Sequence, residues 1–100
     1  MVKHIILWQL KDEYSEEEKK EIKEGIKSGL EGLKGQIPGL IEIKVNYNGL
    51  PSSNADLILD STFEDADSLK GYSTHPSHVE VANTKVRPHV KSRTVMDYEI

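Results

Sequence analysis

The chain has 100 residues and no cysteine; 36% of its residues are apolar, 30% are charged, and its formal net charge is -4. These values are typical of one soluble globular domain over residues 1–100, and they exclude a second full domain, a disulfide framework and thiolate metal sites. The acidic balance and the aromatic content of 6% argue against nucleic acid as a partner. No apolar stretch is long enough to span a membrane, so no membrane partner and a cytoplasmic location are expected.

Four segments have the composition of β-strands. Residues 2–10 carry apolar side chains at both odd and even positions, which is typical of a central strand that is covered on both faces. Residues 40–47 alternate apolar and polar side chains and are expected at a sheet edge. Residues 55–63 follow a short loop, which favours antiparallel pairing with the second strand. Residues 91–100 are expected to form the last strand.

A long helix is expected between the first two strands. Ser15 and Glu18 have the spacing of a capping box, which predicts the start of the helix, and Gly35 supplies its end. The apolar stripe of this helix consists of Ile22, Ile26, Leu30 and Leu33. Three interior glycines each cost about 1 kcal/mol relative to alanine, and they either allow close packing or simply weaken the helix. These glycines are Gly25, Gly29 and Gly32.

Two shorter helices are expected after the third strand. Residues 65–72 predict a helix that ends near Gly71. Pro76 is suited to the first position of the next helix, and Pro88 stops it. The resulting order, β-α-β-β-α-β, is that of the α+β ferredoxin-like fold with a four-stranded antiparallel sheet.

Five segments carry a family resemblance across the whole chain: VKHIILWQLK at 2–11, SEEE at 15–18, IPGL at 37–40, TFEDADSLKGYSTHPSHVEV at 62–81 and VMDYEI at 95–100. The most specific pattern within them is the pair of Tyr72 and His78 around a His-Pro step, followed by a terminal Asp-Tyr. The chain resembles the stress-responsive dimeric α/β-barrel family, called Dabb. This resemblance implies a homodimer in which two ferredoxin-like protomers pack their open sheet faces into a barrel.

Strand alternation indicates which side chains would meet the partner protomer. A sheet face that carries several large apolar side chains and no covering helix would be a larger exposed apolar patch than soluble monomers usually have. The side chains expected on this face are Ile5, Leu7, Ile58, Met96 and Tyr98.

The resemblance also implies a candidate catalytic pair, Tyr72 and His78. They match a tyrosine and a histidine of a plant polyketide cyclase in the family, which forms olivetolic acid by an aldol condensation without metal or cofactor. In that role His78 would be the base and Tyr72 the donor to the oxyanion. Asp97 is expected to accept a hydrogen bond from the His78 ring. The residues expected to line or tune the same layer are His4, Ile6, Trp8, Leu57, Leu59, Val95 and Asp97.

Three positions depart from the cyclase. Leu57 replaces a pocket histidine, Ile26 replaces an aromatic residue, and Trp8 replaces a smaller aliphatic residue. A smaller and differently shaped cavity is therefore expected, and olivetolic acid formation itself is not.

Three functions remain open on these residues. The preferred interpretation is a histidine-containing apolar pocket for a small organic ligand. The alternatives are a cofactor-independent cyclase-like enzyme and a purely structural, stress-stable assembly module such as the boiling-stable aspen member of the family; oxygenase chemistry has no specific support.

The remaining histidines have simpler interpretations. His75 is expected near the N-cap of the last helix, and His89 is expected at the surface. For His78 the alternative to a catalytic role is a packing role beneath the loop. No metal site is expected, because His75 and His78 have no carboxylate at a matching spacing.

Overall fold

The structure, a computed structural model, describes residues 1–100. The strands are β1 (Val2–Leu10), β2 (Leu40–Asn46), β3 (Leu57–Phe63) and β4 (Val90–Glu99). The helices are α1 (Glu16–Glu31), α2 (Ala66–Thr74) and α3 (Pro76–Val81). A π-helical turn (Ala82–Val86) and a 3-10 turn (Arg87–His89) continue from α3 to β4.

The four strands form one antiparallel sheet in the order β2-β3-β1-β4. The expected ferredoxin-like α+β fold is therefore confirmed. The doubly apolar strand β1 is central, and the strand with one wet face, β2, lies at an edge as its alternation predicted. A register shift after Leu40 disturbs that alternation, so Ile41 is exposed although it was expected on the apolar face.

The helix α1 begins with the expected capping box. The Ser15 hydroxyl accepts a hydrogen bond from the Glu18 amide, and the Glu18 carboxylate accepts one from the Ser15 amide. The predicted end of α2 near Gly71 is wrong, because Gly71 has no positive φ and the helix continues to Thr74. The helix ends where His75, the residue before a proline, takes an extended conformation.

The hydrophobic core lies between the helices and one face of the sheet. Its fully buried members include Leu30 of α1, Val45 of β2 and Leu59 of β3. Gly29 lets α1 approach α3, since a Cβ atom at this position would lie 3.0 Å from a methyl group of Val81. At least one of the helix glycines thus serves close packing.

No helix covers the opposite face of the sheet. Large apolar side chains on this face are partly exposed in the protomer, with Leu7 at 39%, Tyr98 at 42% and Met96 at 66% of full exposure. None of the helices has both the length and the apolar character needed to cross a membrane.

Candidate functional site

A cavity of about 410 Å³ lies between the sheet and the helices. Its walls come from β1, β3 and β4 on one side and from the helical elements on the other. The lining residues are Ile6, Trp8, Leu30, Leu59, Tyr72, His78, Ala82, Val86, Arg87, Val90 and Arg93. Because Arg87 and Arg93 are exposed, the cavity meets solvent beside these two side chains.

Tyr72 comes from the last turns of α2 and is 1% exposed. Its ring packs against Phe63 with centroids 5.0 Å apart. Its hydroxyl is buried and has no hydrogen-bond partner within the protein. Burial raises the pKa of the phenol above its ordinary value, and the positive charge of Arg93 opposes this only in part. Tyr72 is therefore a protonated hydrogen-bond donor.

His78 lies in the first turn of α3, and its half-buried ring contacts Tyr72 with centroids 4.1 Å apart. Burial lowers the pKa of the imidazole below its ordinary value of 6.5, and the carbonyl of Ser73 partly opposes this shift. Nδ1 of His78 lies 3.4 Å from that carbonyl oxygen, which can only accept a hydrogen bond. In the neutral ring the proton is thus placed on Nδ1, and Nε2 is free to accept a proton.

Asp97 does not pair with His78 as expected. It lies directly opposite His4 in the pairing of β1 with β4, and its carboxylate oxygen is 2.5 Å from Nδ1 of His4. His4 is 6% exposed, and its ring centroid lies 6.0 Å from that of Tyr72. The strand register decides this pairing, since cross-strand neighbours on one face are in direct contact.

The structure brings some of the expected site residues together and separates others. Those that line the cavity are Ile6, Trp8, Leu59, Tyr72 and His78. Those that do not are His4, Leu57, Val95 and Asp97. Of these, His4 has its ring centroid 6.0 Å from that of Tyr72, Leu57 is buried in the hydrophobic core, and Val95 is partly buried against that core.

Six lining residues were not anticipated from the sequence: Leu30, Ala82, Val86, Arg87, Val90 and Arg93. Arg93 could have been found, because it shares the alternation of Val95 and Asp97 along β4. Arg87 has no such signal, since its position depends on the π-helical turn that precedes it.

The two other histidines have local partners. Nδ1 of His75 accepts a hydrogen bond from the Ser77 amide, so His75 is the N-cap of α3 as expected. His89 is half-buried rather than fully at the surface, because its ring packs against Tyr14 and is 2.8 Å from the tyrosine hydroxyl. No group of three or more histidine and carboxylate side chains is placed to hold a metal ion.

Several solved structures resemble this chain. A dimeric ferredoxin-like protein of unknown function from Bacteroides fragilis NCTC 9343 matches with a TM-score of 0.92 and 34% identity, over 99% of this chain and 95% of that chain. A protein of Arabidopsis thaliana matches with a TM-score of 0.75 and 26% identity, over 100% of this chain and 95% of that chain. A hydroxynitrile lyase from Passiflora edulis has a TM-score of 0.74 at 20% identity, over 99% of this chain and 92% of that chain, a likeness that shows the fold alone.

Sequence comparisons give the family. A search of curated proteins finds no significant match. The sequence model of the stress responsive A/B barrel domain matches residues 2–100, which is nearly the whole chain. This chain therefore belongs to the stress-responsive A/B barrel (Dabb) domain family.

Proposed function

We propose that the protein binds a small organic ligand, with an apolar body and an oxygen that accepts a hydrogen bond, in the cavity beside Tyr72. The single observation that supports this is the buried hydroxyl of Tyr72, which has no partner in the protein. Leaving such a group unsatisfied costs about 1–3 kcal/mol, and a ligand oxygen would recover that cost. A purely structural role requires neither the cavity nor an unpaired hydroxyl beside it.

We also infer that the protein is a homodimer. The apolar side chains on the open sheet face, among them Leu7 and Met96, have no covering element in the protomer. The similar protein from Bacteroides fragilis is dimeric. Two copies of this face packed about a twofold axis would remove the apolar patch from water.

A thermal-shift screen of small ketones, acids, esters and hydrocarbons tests the binding proposal. Compounds with an acceptor oxygen should raise the melting temperature of the wild-type protein. They should do so less in Tyr72→Phe, which removes one hydroxyl, and least in Ala82→Phe, which fills the cavity from the helical side. For hydrocarbons of the same shape, the rise in melting temperature should be smaller in Ala82→Phe only and should be the same in Tyr72→Phe as in the wild type. Equal shifts in all three proteins would place binding elsewhere and overturn the proposal.

A second candidate function is cofactor-independent acid-base chemistry next to a carbonyl group, of the kind that a cyclase-like enzyme needs. The observation that favours it is the contact of a neutral imidazole with a protonated phenol at the wall of an apolar cavity. Nε2 of His78 would remove a proton from the carbon beside the carbonyl, and the Tyr72 hydroxyl would donate to the oxygen as it gains negative charge.

Deuterium exchange tests this chemistry without knowledge of the product. The phenylacetyl thioester of N-acetylcysteamine is a suitable probe, because its α-protons exchange slowly in water and are followed by proton NMR in heavy water. The wild-type protein should accelerate the exchange, and His78→Ala and Tyr72→Phe should each lower that rate on the order of 10²-fold. This candidate would be rejected if the wild-type protein did not accelerate the exchange, or if both variants exchanged the protons as fast as the wild type.

A further inference from the structure

The two arginines of the chain lie at the same site, the cavity between the sheet and the helices. Lysine and arginine together number 13, and only Arg87 and Arg93 among them are arginines. Both line the cavity, and none of the lysines does. A guanidinium group binds carboxylate and phosphate oxygens through two parallel hydrogen bonds. The placement of the arginines therefore indicates which chemical groups a ligand would carry, as well as the sign of its charge.

Neither guanidinium group is neutralised within the protein. No carboxylate lies within ion-pair distance of either arginine, although five lysines have such partners. Arg87 donates a hydrogen bond to the neutral side-chain amide of Asn83, and Arg93 has no side-chain hydrogen bond. The lining of the cavity contains no acidic residue. The cavity is therefore positively charged in a chain whose net charge is -4.

The two positive charges also act on the site itself. Both arginines contribute to the lowered pKa of His78, and Arg93 opposes the raised pKa of Tyr72. The alternation of β4 places Arg93 on the face of Val95, which packs toward the helices, and not on the open face of Met96. Arg93 is thus directed toward the ligand cavity and away from the sheet surface proposed for dimer formation.

We propose that the ligand of this cavity is an amphipathic organic anion, whose apolar body lies against Trp8 and Leu59 and whose carboxylate or phosphate group binds Arg87 and Arg93. This inference rests on the proposed binding function and adds the chemical class of the ligand. Carboxylate and phosphate share the oxygen geometry that guanidinium groups recognise. A neutral ligand would leave both guanidinium groups without an ionic partner.

Calorimetric titration with three probes of equal chain length tests the proposal: octanoate, octyl phosphate and 1-octanol. At least one anion should bind the wild-type protein about tenfold or more tightly than 1-octanol. The stronger of the two anions then identifies the head group. In the double variant Arg87→Gln/Arg93→Gln this preference should disappear while the affinity for 1-octanol stays unchanged. A double Arg→Lys variant should keep part of the preference, since it retains the charge but loses the paired hydrogen bonds.

Lys85→Gln is the matched control, because Lys85 lies in the same π-helical turn as Ala82 and does not line the cavity. It should leave the anion preference intact. If 1-octanol binds as tightly as both anions, or if Lys85→Gln abolishes the preference as fully as the arginine variant, the anion proposal is wrong while the binding function stands. If none of the probes binds, the proposed function fails and the anion proposal fails with it.

Discussion

The imidazole ring of His78 lies against the phenol ring of Tyr72, with a centroid separation of 4.1 Å and an angle of 36° between the ring planes. The two residues belong to different helices, α2 and α3, whose junction at His75 brings them together. This contact covers part of the imidazole and so contributes to the burial that lowers its pKa. The phenol in turn is enclosed between His78, Phe63 and His4.

The hydroxyl of Tyr72 should oppose stability while serving ligand binding. Tyr72→Phe removes a buried hydroxyl that has no partner and changes almost no volume, so the free energy of unfolding should rise by about 1 kcal/mol. Urea denaturation at fixed protein concentration measures this change. Tyr47→Phe is the control, because Tyr47 packs against the core but neither lines the cavity nor has a buried hydroxyl without a partner. A loss of stability in Tyr72→Phe would show that the hydroxyl has a partner in the folded protein.

The lowered pKa of His78 predicts a pH dependence of stability. Above its ordinary pKa of 6.5 the imidazole is neutral in both the folded and the unfolded chain, so the full stability is present. As the pH falls from 6.5 through the folded-state pKa, the unfolded chain takes up the proton first. The free energy of unfolding should therefore decrease over this range.

His78→Gln isolates that contribution from the other titrating groups. As the pH falls from about 7.5 to about 5, the free energy of unfolding of the wild-type protein should decrease relative to that of this variant. His75→Gln serves as the comparison for a histidine of the same turn. A difference for His78→Gln that is independent of pH would contradict the burial of the imidazole.

Two glycines of α1 should respond differently to alanine. At Gly25 a Cβ atom would meet nothing closer than 3.9 Å, so Gly25→Ala should stabilise the protein by about 1 kcal/mol through helix propensity. At Gly29 it would lie 3.0 Å from Val81, so Gly29→Ala should gain clearly less or lose stability. Thermal unfolding of both variants, with the wild type as reference, measures the contrast. Equal gains at both positions would mean that α3 can move away from α1 at no cost.

The open sheet face should control the oligomeric state. Leu7→Lys places a charge at the centre of the apolar face and should convert a dimer into a monomer, or unfold the chain, at micromolar concentration. Glu24→Gln changes the net charge by the same amount on the exposed side of α1 and should leave the dimer unchanged. Light scattering distinguishes the states. A wild-type protein that is monomeric under these conditions would reject the homodimer.

Much of the fold could be predicted from local signals in the sequence. The double apolar pattern of residues 2–10 placed β1 in the middle of the sheet, and Ser15 with Glu18 marked the first turn of α1. These signals are reliable because each depends on neighbours within a few residues, where backbone geometry fixes the distances. The end of α2 was misplaced because Gly71 permits a helix end without requiring one.

The candidate site, too, could be predicted only in part from the sequence. Strand alternation together with the family resemblance placed Ile6, Trp8 and Leu59 on the helix-facing side, where they line the cavity. Only the tertiary structure decided that Asp97 bonds His4 and that Arg87 joins the wall. The reason is physical: the first depends on the register of two strands far apart in the chain, and the second on the path of a π-helical turn, neither of which is encoded by the spacing of nearby residues.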